Sequence, residues 1–333
     1  MMLATQSETA DLCPAGQAAT AFRACGSVTC TRLVHPPAVD FLYRYALKAS
    51  KWGAMRRDDR QAPLTPSIHG DPVMESLLQA LLSRIEEASG ERLHPTYSYF
   101  RVYKRGDVLL RHTDRPACEV SVTLSLGFKP EDQPWPICLE RDGVPLSVPL
   151  QPGDALLYKG VETPHWRERF EGEQAAQVFL HYVRRDGPYH EWIYDKRPRT
   201  AAVPVLCRLI ERLEGLPLSP LLEESTGIAP EKGEQETMPL DFSTSFTPAP
   251  PVVVQEVGDE SVVMNAETRA CLSLGPVATR IWTLLGQSPT LDAALKSLMN
   301  EYDASEERLR GDLERFVEKL LQHGLVVPRP AEQ

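Results

Sequence analysis

Between Tyr103 and Leu126 the chain reads YKRGDVLLRHTDRPACEVSVTLSL, with His112 and Asp114 two residues apart. On an extended backbone residues i and i+2 project to the same side, so an imidazole and a carboxylate are presented together. An HxD pair alone is weak evidence, because such pairs arise by chance. His165, in PGDALLYKGVETPHWRERF, supplies a second imidazole after another apolar run, Ala155 to Tyr158, which a Pro-Gly turn introduces. Two imidazoles and one carboxylate on one face of a metal make the facial triad of non-haem Fe(II) oxygenases. That set leaves the opposite face open to cosubstrate and dioxygen.

Strands must carry these residues. From Thr96 to Tyr194 the pattern is β throughout, with turns at Gly106, Lys129 to Pro136, Asp142-Gly143, Pro152-Gly153 and Glu171-Gly172. Asp142-Gly143 lies between PICLE and VPLSV and signals a hairpin. After Asp114, Val120, Val122, Leu124 and Leu126 share one strand face, and Ser121, Thr123 and Ser125 share the other. In AAQVFLHYV, Gln177, Phe179 and His181 fall on one face. Many short strands at this spacing predict an α+β chain built on a double-sheet jelly roll. Helices flank it on the N-terminal side: Ala38 to Ala49, then DPVMESLLQALLSRIEEASG from Asp71-Pro72 to Gly90, with a basic loop (Lys51, Arg56, Arg57, Arg60) between them. Residues 1 to about 35 read as irregular.

Composition sets the limits. The chain has 333 residues and a net charge of −10, which implies two domains and argues against a nucleic-acid partner. No apolar run reaches the roughly 18–20 residues that span a bilayer, and the N-terminus lacks the basic and apolar regions of a signal peptide. Seven cysteines without a CxxC pair read as reduced thiols of a cytoplasmic protein. Trp135, Trp166 and Trp192 are candidates for a substrate cleft, although such aromatics more often pack in a core or rim.

Tyr103, His112-x-Asp114, the PGD turn at 152–154, Pro164-His165 and the FLHYV strand together resemble a prolyl-4-hydroxylase-like Fe(II)/2-oxoglutarate-dependent oxygenase over residues 36–198. The resemblance implies a double-stranded β-helix (jelly roll/cupin-like) in which His112, Asp114 and His165 hold Fe(II). 2-Oxoglutarate would chelate the metal and leave one position for O2, with ascorbate as an accessory candidate. Tyr103 matches the tyrosine that touches the cosubstrate, and His181 a histidine near it. The family usually places an Arg or Lys about ten residues after the distal His, to pair with the far carboxylate of the cosubstrate. Here that neighbourhood is Glu173-Gln174-Ala175-Ala176. Arg167, two residues after His165, is the first substitute and Arg101, two before Tyr103, the second. The intact Asp114 favours hydroxylation over halogen transfer, since related halogenases lack that carboxylate.

Residues 199–250 read as a short helix (Ala201 to Leu213) and a flexible linker rich in Pro, Ser, Thr and Glu. Beyond them, 251–328 predicts three strands (VVVQEVG, DESVVMN, TRACLSL) and three helices (Pro276 to Leu285, Thr290 to Tyr302, Ser305 to His323). That is a small winged-helix-like domain with apolar stripes that include Val277, Ile281 and Leu284. The hairpin VVMNAETRACLSLGPVATRIWTLL and the closing ERFVEKLLQHGLVV resemble the PqqD-like family, the precursor-peptide recognition element of ribosomally synthesised peptide (RiPP) biosynthesis. The resemblance implies that a leader peptide adds along strand 268–274 and helix 306–321. The fusion implies a hydroxylase of a precursor-peptide side chain. Two alternatives stay open: a hydroxylase of another protein or small molecule with an unrelated C-terminal interaction domain, and a non-catalytic scaffold.

Overall fold

A computed structural model of the chain describes residues 15–52, 61–63, 65–198, 203–215, 240–257 and 260–329. The basic stretch through Arg56, Arg57 and Arg60, and the stretch of expected linker at 216–239, lie outside the described residues. The chain divides into two compact units.

In the first unit α1 (Ala15–Cys25), β1 (Ser27–Cys30), α2 (Pro36–Trp52), β2 (Ser67–His69), α3 (Pro72–Ala80) and α4 (Leu82–Ser89) precede the strands that carry the motifs. These are β3 (Leu93–Lys104), β4 (Leu109–His112), β5 (Val120–Lys129), β6 (Ile137–Arg141), β7 (Val144–Val148), β8 (Ala155–Tyr158), β9 (His165–Arg167) and β10 (Gln174–Arg184). They form a six-stranded sheet in the order β1-β8-β5-β10-β3-β2 and a four-stranded sheet in the order β4-β9-β6-β7. Ile137, Leu139 and Val148 of the smaller sheet share a buried cluster with Leu156 and Tyr158 of the larger, so the two sheets face each other. This is the expected double-stranded β-helix. Asp142 (φ 51°) and Gly143 (φ 77°) join β6 to β7; both central residues are left-handed, as the twist-matched two-residue hairpin requires.

The larger sheet is buried on both sides. Its outer face packs on helices: Tyr45 of α2 lies against Phe100, and Tyr182 donates to the Leu78 carbonyl of α3 at 2.9 Å. Met74, Leu77, Leu78, Leu81 and Ile85 are buried here, and each such side chain contributes roughly 1.5–3 kcal/mol on leaving water. Asp71 caps α3 by accepting from the Val73 and Met74 amides, and Gly90 ends α4 at φ 70°. The single helix expected over 71–90 is therefore two, meeting at Leu81, with no Gly or Pro to mark the break in the sequence. The N-terminal segment also departs from expectation. Its Ala-rich helix buries Ala18 and Phe22, and β1 pairs with β8. One large apolar residue per helix is too faint a periodicity to read, although Ala itself favours a helix.

After the first unit's strands comes α5 (Pro204–Leu213). The second unit holds β11 (Phe246–Pro248), β12 (Val252–Val257), β13 (Glu260–Asn265), β14 (Cys271–Leu274), α6 (Pro276–Gln287), α7 (Leu291–Glu301), α8 (Glu306–Gln322) and β15 (Val326–Pro328). β12-β13-β14 make the expected three-stranded sheet, and β11 pairs with β15 in a two-stranded ribbon that was not expected. Thr290 and Ser305 cap α7 and α8 through their hydroxyls. Residues 240–250, expected as linker, belong to this unit, because Phe242 and Phe246 sit in its core. Flanking prolines hid them as turn punctuation. Val277, expected on a core stripe, is 50% exposed; it lies in the first turn of α6, ahead of the buried Ile281, Leu284 and Leu285. Among the described residues no helix is long and apolar enough to cross a membrane.

Candidate metal centre

β4 and β9 are neighbours, and His112 and His165 are register partners across them, ring centroids 4.2 Å apart. Each ring is tied to its own strand: His112 Nδ1 is 2.7 Å from the Leu110 carbonyl and His165 Nδ1 is 3.0 Å from that of Thr163. A carbonyl only accepts, so both Nδ1 atoms carry protons and both Nε2 atoms present lone pairs. Asp114 Oδ1 lies 3.6 Å from His112 Nε2 and 3.7 Å from His165 Nε2. The three ligand atoms fall within 4.8 Å of one another, a spacing that could hold one metal ion.

Asp114 is held from three sides. Its amide donates to the Gly160 carbonyl at 2.9 Å, and Ser121 Oγ donates to its Oδ2 at 2.8 Å. Gly160 packs so closely behind it that a Cβ there would lie 2.4 Å from Asp114 Oδ2 and from the Cys118 carbonyl, and 2.5 Å from Ser121 Oγ. Burial opposes ionisation of Asp114, but the His112 contact, the charges of His165 and His181 and the Ser121 hydroxyl outweigh it and hold its pKa well below the usual carboxylate range. Burial lowers the His165 pKa, with Asp114 opposing the shift. Both shifts favour the forms that bind a cation: an anionic carboxylate and a neutral imidazole.

The remaining candidate residues lie on the inner face of the larger sheet. Across β3, β10, β5 and β8 one row runs Tyr97–His181–Ser121–Tyr158 and the next Tyr99–Phe179–Thr123–Leu156. Arg101, Gln177 and Ser125 make a third row, and Tyr103 pairs with Ala175. Arg167 reaches this face from β9. The residue is 1% exposed; its guanidinium donates to the Trp135 carbonyl and lies 3.4 Å from Thr123 Oγ1 and 3.3 Å from Gln177 Oε1. Among the described residues no carboxylate comes within ion-pair distance of Arg167, and its Nε has no hydrogen-bond partner. Burial pushes its pKa down to about 10, against the stabilising influence of Tyr103 and Tyr158. Ala175, at the position where the resemblance would place a cation, is buried among Tyr103, Phe128, Trp135 and Phe179.

Arg101 is equally buried, donates to the Thr65 carbonyl and lies over the Tyr99 ring. Tyr103 is fully buried with its ring edge-on to Trp135. His181 Nδ1 is 3.0 Å from Ser121 Oγ, its ring lies 4.7 Å from Tyr97, and burial pushes its pKa down to about 4. Trp135 is therefore core packing. Trp192 is half-buried beside Arg115, whose guanidinium forks onto Asp195 at 2.7 and 2.9 Å and lies over Tyr97.

The sequence reading missed Gly160, Ser121, Thr123, Gln177 and Tyr158, whose hydroxyl lies 3.3 Å from His165 Nε2. The polar alternation of β5 and β10 was a signal for Ser121, Thr123 and Gln177; Gly160 and Tyr158 had none.

Residues 260–326 match the protein family described as Coenzyme PQQ synthesis protein D (PqqD). No curated protein sequence matches the chain. Among solved structures, a prolyl-4-hydroxylase from Pseudomonas putida is 18% identical with a TM-score of 0.43, covering 52% of this chain and 100% of its own. A prolyl hydroxylase from Trichoplax adhaerens, in complex with a hypoxia inducible factor oxygen degradation domain peptide fragment, is 12% identical (TM-score 0.43; 50% of this chain, 88% of its own). HygX from Streptomyces hygroscopicus, with nickel, 2-oxoglutarate and hygromycin B bound, is 14% identical (TM-score 0.41; 50% and 86%).

Proposed function

We propose that the first unit is an Fe(II)- and 2-oxoglutarate-dependent hydroxylase acting on a side chain of a ribosomally made precursor peptide, whose leader the second unit captures. The observation that carries the reading is the meeting of two carbonyl-anchored imidazoles and one ionised carboxylate, with an anion-less buried guanidinium in the same sheet interior. His112, Asp114 and His165 would hold the iron. Bound there, iron and 2-oxoglutarate supply an oxidant for an unreactive C–H bond.

The chain's own residues bind and orient. Arg167, its Nε open and Gln177 and Thr123 beside it, takes the far carboxylate of 2-oxoglutarate, an anion that would be costly to bury unpaired. Tyr103 lines the same space, and Arg101 borders it across the Gln177 pair. Ala175 itself is packed among aromatic rings and offers no charge from β10. The aromatic faces around the site exclude water, which strengthens charge pairing inside.

The PqqD match supports a peptide partner. β14 is an edge of its sheet, so a leader would add a strand there and meet α8. Capture raises the local concentration of a weakly held core peptide at the metal. The six described cysteines are all free, which fits a cytoplasmic setting.

The test is co-expression of the full chain with its precursor peptide. Mass spectrometry should show a gain of about 16 Da per oxidised side chain, one oxygen atom, lost in His112→Ala or Asp114→Ala. Succinate formed from 2-oxoglutarate without any change in the peptide would sink the substrate assignment; no succinate with any substrate would sink the enzyme.

A further inference from the structure

Asp114 belongs to a second cluster of candidate ligands, with Cys118 and His181, whose ligand atoms also lie within 4.8 Å of one another. A hydroxyl already fills its centre. Ser121 Oγ lies 2.8 Å from Asp114 Oδ2, 3.0 Å from His181 Nδ1 and 3.2 Å from the Cys118 carbonyl, and Ser121 is fully buried. An ion placed there would displace the group that holds Asp114, so the cluster is a hydrogen-bond junction.

Proton counting sets the direction of each bond. A hydroxyl has one proton and two lone pairs, while an ionised carboxylate and a carbonyl have only lone pairs. The Ser121 proton goes to Asp114, the shorter and charge-assisted contact. The hydroxyl oxygen then needs a donor, and His181 Nδ1–H is the group in place to give one. In the neutral ring His181 Nε2 is left as a lone pair, and it is buried without a hydrogen-bond partner. A fully ionised dicarboxylate has no proton to offer that nitrogen.

We infer that His181 is a positioning residue for the metal ligand: acting through Ser121, it holds Asp114 Oδ2 aside and leaves Oδ1 alone between the two imidazoles. This departs from the resemblance, which puts His181 beside the cosubstrate. It rests on the proposed metal site. The chemistry is that of an outer hydrogen-bond partner, whose loss weakens metal binding about 10–100-fold.

The test uses the full-length metal-free chain titrated with Co(II) and followed by visible absorption. Ser121→Ala should weaken Co(II) about 10–100-fold, and His181→Phe, which keeps a ring but loses the donor, by about 10-fold. The double variant should be no weaker than Ser121→Ala, because both changes cut one chain of contacts. His181→Asn keeps an N–H near the Nδ1 position and should bind within about threefold of wild type. The inference is overturned if His181→Phe binds Co(II) normally while raising the KM for 2-oxoglutarate. It is also overturned if the two losses add, or if His181→Asn binds no better than His181→Phe. A wild-type chain that binds no Co(II) overturns the metal site itself, and this inference with it.

Discussion

His112 sits opposite His165 on the β4–β9 ladder, and one step along the ladder Leu109 sits opposite Arg167. β9 spans its step with two residues and β4 with three, so β4 carries a bulge at Leu110 and Arg111. The bulge keeps His112 on the interior face, the side that His165 and Arg167 share by the i, i+2 rule.

Moving the imidazole off that face should therefore remove the metal. Exchanging the neighbours, Arg111→His with His112→Arg, puts it at the exposed position beside Glu140, and Co(II) affinity should fall by more than about 100-fold. Arg111→Ala, which loses an exposed pair with Glu140 and a contact over the Trp166 ring, should bind normally. Metal titration of the two variants side by side makes the comparison.

Arg167→Ala should raise the KM for 2-oxoglutarate by about 10–100-fold, since a charge-assisted hydrogen bond contributes roughly 1.5–3 kcal/mol. Co(II) affinity should not change. An unchanged KM would leave Arg101 as the cation for the far carboxylate.

Gly160→Ala puts a methyl group within 2.5 Å of three oxygens, two of them on Asp114 and Ser121. Overpacking of this kind costs about 1–3 kcal/mol. Both the urea midpoint and the Co(II) affinity should drop, whereas alanine at the exposed Gly143 turn should leave Co(II) affinity unchanged.

The pH dependence follows from His181. Its folded pKa, about 4, lies below the ordinary value of 6.5. The unfolded chain therefore takes up a proton that the folded chain refuses between those values, and stability falls as pH drops through that window. The loss from pH 7 to pH 5 should be about 2 kcal/mol for this group, with His165 adding in the same direction. Urea unfolding of the metal-free chain at both pH values should show it, and His181→Asn should flatten the slope.

In the second unit, Leu272 of β14 and Phe316 of α8 are partly buried against the core. If a leader adds along this edge, Phe316→Ala should weaken leader binding by roughly 10-fold or more without altering the KM for 2-oxoglutarate. Calorimetry with the leader peptide measures the first, and succinate release the second.

Much of this was legible because the residue types are restrictive. His112, Asp114 and His165 stood out from the i, i+2 rule and one later imidazole, and Arg167 from the same rule applied to His165. The strand period gave β5 and β10, but not which side faced what. Ser121, Thr123 and Ser125 have the pattern of a solvent-facing strand edge, yet they line a closed interior. Period alone cannot tell water from a polar cavity. Gly160 was invisible because its role is to be absent: space behind a carboxylate leaves no mark on composition. β1 and β11 were too short to show a period and gain their stability from partners far along the chain, β8 and β15.

Each imidazole of the centre is fastened to a carbonyl two residues earlier on its own backbone. Ring orientation is thus settled within each short segment before the segments meet, and an arriving ion need not freeze either side chain. Loading should therefore cost little protein motion. The empty and occupied forms should then differ chiefly in charge, and exchange of one divalent ion for another should leave the rings where they stand.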